Sequence, residues 1–296
     1  MFYSITELVE QATLHYEGNV AELMIATEFE LTGREREEVL TLMTRNLEVM
    51  KESVHLGLND HLGLNDQLSR SGLTGGDAAK LDRYIRSGKA LSDYTVLTAA
   101  KNAIAVNEHN AKMGLVCATP TAGSAGCLPA VLTSAIEKLH LDEHQQLEFL
   151  LAAGAFGLVI ANNASISGAE GGCQAEVGSA SAMSAAALTL AAGGSPYQAS
   201  QAICFVIKNM LGLICDPVAG LVEVPCVKRN AMGASYAYIA ADMALAGIES
   251  KIPVDEVIDA MYQVGSSLPT AFRETAEGGL ATTPTGKRLQ QEIFGE

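Results

Sequence analysis

Apolar residues recur at helical spacing along most of this chain. After Thr32-Gly33-Arg34-Glu35, where a Thr and a Glu three apart read as a capping box, Val39, Met43, Leu47, Met50 and Val54 follow at steps of four, four, three and four. That spacing predicts a long amphipathic helix that stops at His55. Ser71 to Asp77 opens a short helix running through Arg86 and closing at Ser87-Gly88, and the next helix covers Tyr94 to Ala111. Further helices are expected over 128–139, 142–161, 177–192, 196–211, 230–246 and 254–264. From Val177 to Ile207 there is no charged residue, so the helices there must be enclosed on nearly every side. No segment alternates with the period of two that a half-buried strand requires. The expected fold is all-α: one multi-helix globular domain with buried Ala/Gly/Leu-rich central helices.

The predicted helix ends at a repeat. His55-Leu56-Gly57-Leu58-Asn59-Asp60 is followed by an identical copy, His61 to Asp66. Gly and Asn-Asp in both copies favour a tolerated expansion of a surface loop. Metal binding by His55 and His61 ranks below that reading, because no regular structure is expected to hold them.

Composition narrows the picture. With 296 residues, 48% of them hydrophobic, the chain can bury a large core, and disorder is excluded. Aromatics make up only 5% and Trp is absent, which suits closely packed helices better than a sheet rich in aromatic and β-branched residues. A formal net charge of −15 argues against nucleic acid or an anionic membrane surface as a partner. The N-terminus has neither a basic region nor an apolar run, so no signal peptide is expected there. The longest strongly apolar stretch, Phe149 to Ala161, is thirteen residues long, too short to cross a bilayer, and reads as a buried helix. Six cysteines without a signal point to metal or redox chemistry in a reducing compartment, and a cytoplasmic location is expected.

Three of those cysteines occupy positions that packing alone seldom selects. Cys173 follows Gly171-Gly172, Cys215 begins Cys215-Asp216-Pro217, and Cys226 follows Val224-Pro225. Each is next to, or within two residues of, Gly or Pro, where backbone N–H groups can turn towards a metal-bound sulfur. Three thiolates on a four-iron cluster would leave one iron open, which is the mark of a catalytic rather than a structural site. Cys204 sits in an apolar run and reads as core, while Cys117 and Cys127 flank a Thr-Pro-Thr loop and are weaker ligand candidates.

That loop, Ala118 to Cys127, sets hydroxyls and glycines ahead of a helix, an arrangement that suits a carboxylate or ordinary helix capping. It is no nucleophile elbow, because Ala122 stands where Gly is required before Ser124. Thr282-Thr283-Pro284-Thr285-Gly286 is a faint echo of it, either a second substrate loop or a turn. No nucleotide-binding Gly-rich motif is present. Of the neighbours Glu108 and His109, only one can face a given site, since adjacent helical residues point about 100° apart. A solvated helix end is the competing reading for both.

Together, Ala118 to Gly126, Ser167 to Gly178 and Cys215 to Asn230 resemble the iron–sulfur-dependent L-serine dehydratases, in particular the α subunit of the two-subunit bacterial form. The similarity runs over nearly the whole chain, including Ser71 to Leu81 and Ile252 to Gly286. It implies deamination of L-serine to pyruvate and ammonia, a 4Fe-4S cluster held by Cys173, Cys215 and Cys226, an all-helical fold, and a separate β subunit. Within one domain over 1–296, residues 1–66 would form N-terminal helices and a loop, and 67–296 the cluster-binding core. The chemistry agrees: eliminating a hydroxyl needs a Lewis acid on the oxygen and a base near the carbon. Thr119, Thr121, Gly123 and Ser124 are the candidate carboxylate site. The base is left open among Glu108, Glu176, Glu223 and a group on the partner subunit.

Three rivals stand against this reading. A pyridoxal-phosphate dehydratase would need a Schiff-base lysine, for which Lys208 has the most apolar neighbours, but the βαβ context is missing. A cluster-bearing hydro-lyase acting on another small hydroxy acid and a non-catalytic helical scaffold with a closed metal site are the others.

Overall fold

The computed structural model describes residues 2–58 and 68–295. Among them the chain forms thirteen α-helices and no strand; the only extended pairing is an isolated parallel bridge between Cys215 and Arg273. The helices are α1 (Ile5–His15), α2 (Val20–Thr32), α3 (Arg36–Leu58), α4 (Asp77–Arg86), α5 (Tyr94–Ala111), α6 (Cys127–Leu139), α7 (Glu143–Asn163), α8 (Gly168–Gly171), α9 (Ser179–Ala191), α10 (Pro196–Met210), α11 (Cys226–Leu245), α12 (Val254–Ser267) and α13 (Pro284–Phe294). The expected all-α class is what forms.

The centre of the molecule is α9. Its residues are almost all Ala, Ser, Leu or Thr, and small side chains let α6, α7, α10 and α11 approach it closely. Its buried hydroxyls find backbone acceptors: Ser184 Oγ donates to Ala180 O at 2.6 Å, Thr189 Oγ1 to Ala185 O at 2.8 Å, and Ser181 Oγ to Gly233 O on α11. Phe156 and Ile160 of α7, Ile203 and Ile207 of α10, and Ile258 of α12 complete the core. Ile5, Leu8, Leu47 and Met50 from the N-terminal helices lie in the same core.

Local chemistry sets several helix ends. Asp142 and Gln145 form a reciprocal capping box on α7, as Ser195 and Gln198 do on α10, where Pro196 takes the first helical position. Helix α7 extends well beyond the thirteen-residue apolar run. By length and composition its 21 residues could cross a bilayer, yet most of the helix is buried, packed on α2 and α9.

Two N-terminal expectations need correction. Thr32 is the last residue of α2 rather than the cap of α3: Gly33 turns left-handed at φ 72°, and Thr32 Oγ1 donates to Glu28 O at 2.9 Å. A left-handed glycine ends a helix more decisively than a Thr-x-x-Glu spacing begins one. Secondly, α3 does not stop at His55 but continues to Leu58, so part of the first repeat copy is helix, not surface loop. The reason is Gly57: a Cβ there would lie 2.1 Å from Ala105 O, so α3 crosses α5 backbone to backbone at this residue. The second copy, His61 to Asp66, lies outside the described residues.

Candidate metal centre

Two irregular segments and the first turn of a helix carry the cysteines. Cys173 sits between α8 and a wide π-turn, Gln174–Gly178, that feeds α9. Gly172 before it adopts φ 75°, ψ −175°, and a Cβ there would lie 2.8 Å from both Leu213 O and Leu268 Cδ1, so only Gly fits. Leu213 O accepts from Gln174 N at 2.9 Å, which clamps the Cys173 turn to the segment leading to Cys215. Cys215 is itself held from the other side: its N–H donates to Phe272 O, and its carbonyl accepts from Glu274 N, both at 2.9 Å. Cys226 is the first residue of α11, directly after the cap residue Pro225, so it stands on a helix rather than on the bend expected for it.

These segments bring the ligating atoms of Cys173, Cys215 and Glu176 within 4.8 Å of one another, all in buried residues. Cys226 is outside that group but within its electrostatic reach. Burial, followed by the charges of Cys173 and Glu176, pushes its thiol up to about 12. Cys215 is raised further, because its thiol donates to Cys173 and is itself buried. Cys173 moves the other way: the hydrogen bond from Cys215 lowers it against burial, with help from the Arg229 guanidinium. All six cysteines are free thiols. Three buried sulfurs beside the Arg229 guanidinium suit a soft metal or an iron–sulfur group, whose positive charge would displace the protons that burial retains on Cys215 and Cys226. The donor set fits such a group.

The hydroxyl loop meets the cysteines through Glu176. Thr121 Oγ1 donates to Glu176 Oε1 at 2.8 Å, and Thr121 and Ser124 brace each other, with their hydroxyl oxygens 3.1 Å apart. A Cβ on Gly123 would sit 3.1 Å from the same carboxylate. Thr119 stands at the start of this turn, its hydroxyl 3.4 Å from Cys117 O. Burial raises the Glu176 carboxyl, the Thr121 bond offsets part of that, and Glu274 adds to the rise. Helix α6 begins without a side-chain cap, so the capping reading does not account for these hydroxyls.

The other acid candidates serve elsewhere. Glu108 is buried and accepts the Asp77 and Ala78 N–H groups at 2.8 and 3.4 Å, so it caps α4 from α5 rather than ending in solvent. Glu223 accepts from Ser69 Oγ and, at 2.8 Å, from Ser71 Oγ, fastening the segment ahead of α4. Thr283 is the N-cap of α13, accepting from Gly286 N at 3.0 Å, so the C-terminal echo is a helix cap. Cys127 Sγ donates to Asn230 O at 3.4 Å, Cys117 contacts Asn46 O at 3.5 Å, and Cys204 lies in the core. Lys208 is hydrogen-bonded to Ser250.

Sequence reasoning passed over three residues lying inside the motifs it singled out. Asp216 and Arg229 form a salt bridge at 2.9 Å, and Arg229 Nη1 also reaches Cys173 Sγ at 3.4 Å. Asn230, fully buried, accepts from Gly126 N at 3.1 Å and donates to Gly123 O at 2.8 Å and Cys226 O at 2.9 Å, joining the hydroxyl loop to α11. The available signal was polarity: each is a charged or amide residue beside a buried cysteine, where an unpaired polar group is costly.

The serine dehydratase alpha chain family model matches residues 15–281. The chain belongs to that family. It is 58% identical over 295 residues to a probable L-serine dehydratase alpha chain of Bacillus subtilis, covering all of this chain and 96% of that one. The L-serine dehydratase alpha chain of Peptoniphilus asaccharolyticus is 40% identical over 277 residues, 94% of this chain and 93% of its own. A match of 37% identity to the L-serine dehydratase TdcG of Escherichia coli covers 95% of this serine dehydratase alpha-type chain but only 61% of that longer protein.

Proposed function

We propose that this chain is the α subunit of an L-serine ammonia-lyase that converts L-serine to pyruvate and ammonia, with Cys173, Cys215 and Cys226 holding a 4Fe-4S cluster. The observation that carries this reading is the convergence of Cys173 and Cys215 with Glu176, whose carboxylate is tied to the hydroxyl loop by Thr121. Family membership favours L-serine over other hydroxy acids. The open iron of such a cluster supplies a Lewis acid for the departing hydroxyl.

The rest of the chemistry falls to the chain's own side chains. The loop at Thr119, Thr121, Gly123 and Ser124 receives the substrate carboxylate, next to buried Glu176. Glu176 takes the α proton, because its carboxyl is raised by burial and so is a better base than an exposed acid. Glu108 and Glu223 are committed to backbone and serine donors away from the cysteines. Loss of water leaves aminoacrylate, which tautomerises to an imine and hydrolyses to pyruvate and ammonia. The β subunit corresponds to the part of the longer relative that this chain does not match, and the enzyme works in the reducing cytoplasm, as six free thiols favour.

The test is anaerobic reconstitution with iron and sulfide, iron counting, and a pyruvate assay with and without the partner subunit. Cys173→Ser, Cys215→Ser or Cys226→Ser is expected to remove both iron and activity, while Cys204→Ser keeps the iron. A full complement of four irons in all three variants would overturn the assignment.

A further inference from the structure

Arg229 touches every segment that carries a cysteine of the site. It lies three residues after Cys226 on the first turn of α11, so its backbone moves with that cysteine. Its Nη1 donates to Cys173 Sγ at 3.4 Å and to Ile214 O, next to Cys215, at 2.8 Å. Asp216, on the other side of Cys215, holds the guanidinium at 2.9 Å with its own side chain only 3% exposed. The second oxygen of Asp216 is also engaged, accepting from Leu280 N at 2.7 Å. One planar cation therefore links three separate stretches of chain, and its orientation is set by a buried carboxylate that is itself pinned. All three contacts are made by Nη1, so what the site holds in place is one donor nitrogen, carried on a planar cation whose direction Asp216 sets.

We infer that Arg229, oriented by Asp216, is the positioning residue of the cluster site: it fixes the Cys173 sulfur relative to the other two cysteine segments and sets the reduction potential of the cluster through its N–H contact to that sulfur. The inference rests on the proposed cluster and concerns groups that touch the ligand sulfur, not the reacting atoms. Hydrogen bonds to cluster sulfurs and nearby charge are principal levers on iron–sulfur potentials. Loss of a residue that orients a metal ligand typically costs about 10–100-fold in metal affinity. The sign follows from charge: a cation and an N–H donor at the sulfur favour the more negative, reduced cluster. Removing them lowers the potential.

The parent chain, Arg229→Lys, Arg229→Gln and Asp216→Asn are reconstituted anaerobically, counted for iron, challenged with an iron chelator, and titrated potentiometrically with detection by electron paramagnetic resonance. Arg229→Gln is expected to release iron at about 10–100-fold lower chelator concentration and to give a more negative midpoint potential than the parent. Arg229→Lys keeps its iron with an intermediate potential. Asp216→Asn weakens iron retention without the fall in potential, since the sulfur donor and its charge remain. Equal potentials in the parent and both Arg229 variants would overturn the inference while leaving the cluster intact. So would complete loss of iron from a folded Arg229→Lys. Failure of the parent itself to take up iron would overturn the cluster reading, and this inference with it.

Discussion

Replacing Gly172 with alanine probes the turn on which the cysteine site depends. At φ 75°, ψ −175° the residue occupies backbone space that is essentially reserved for glycine, and forcing alanine there costs about 1–3 kcal/mol. The added methyl would also lie 2.8 Å from Leu213 O and from Leu268 Cδ1, and overpacking of that kind adds about 1–3 kcal/mol. Together these come to about 2–6 kcal/mol. With an unfolding entropy of about 2.1 cal/mol/K per residue, the melting temperature of a chain this size should fall by about 3–10 °C. Leu213 O is a backbone atom and cannot swing aside without releasing Gln174 N, so Cys173 should shift as well and iron uptake should drop. Gly33→Ala is the control. Gly33 is also left-handed, at φ 72°, but has no heavy atom within 4 Å to meet a Cβ, so only the conformational cost of about 1–2 kcal/mol applies. Calorimetric melts of both variants, paired with iron counts, decide the matter. If Gly172→Ala melts no lower than Gly33→Ala and binds iron fully, the steric argument for this turn is wrong.

Burial pushes the Glu108 carboxyl above the usual carboxylate range, so the fold favours its protonated form, and the stability this preference contributes is present below the unfolded value and lost as pH rises through the folded one. Glu108→Gln keeps an oxygen for the Asp77 and Ala78 N–H groups but does not titrate, so its stability relative to the parent should grow with pH, by about 1.4 kcal/mol for each tenfold difference in proton affinity; urea melts at pH 4 and pH 8 that run parallel would contradict this. Asn230→Ala strands Gly126 N and two carbonyls in the interior, so unfolding should cost about 2–4 kcal/mol less and KM for L-serine should rise as the hydroxyl loop loosens; an unchanged denaturation midpoint would sink that account. Thr121→Val deletes the donor that holds Glu176 down against burial, so the acid limb of the kcat/KM profile should move to higher pH; a limb that stays in place would remove Glu176 as the base.

Much of the fold was legible because helix periodicity and burial are properties of short windows. The uncharged run from Val177 to Ile207 had to be enclosed, and α9 and the stretch of α10 from Ala199 to Ile207 are indeed buried almost throughout, while the turn between the helices and Tyr197 at the start of α10 are exposed. Pro196 and Asp142 marked helix starts because capping involves atoms only three residues apart. Thr32 misled for the same reason: the local spacing resembled a start, while the left-handed Gly33 beside it made an end. Gly57 could not be read at all, since nothing within its own helix shows that Ala105 lies against it.

The candidate site divides along the same line. Sequence alone determined that Cys173, Cys215 and Cys226 stand in Gly- and Pro-bent segments, that a hydroxyl loop precedes a helix, and that a large helical core encloses them, because each of these is written in neighbouring residues. Only the tertiary structure decided which of three glutamates meets the cysteines, and that Arg229 and Asp216 bind their segments together. Those contacts join residues 13 to 56 positions apart, and no local pattern encodes which distant partner a charged side chain will find when the core closes.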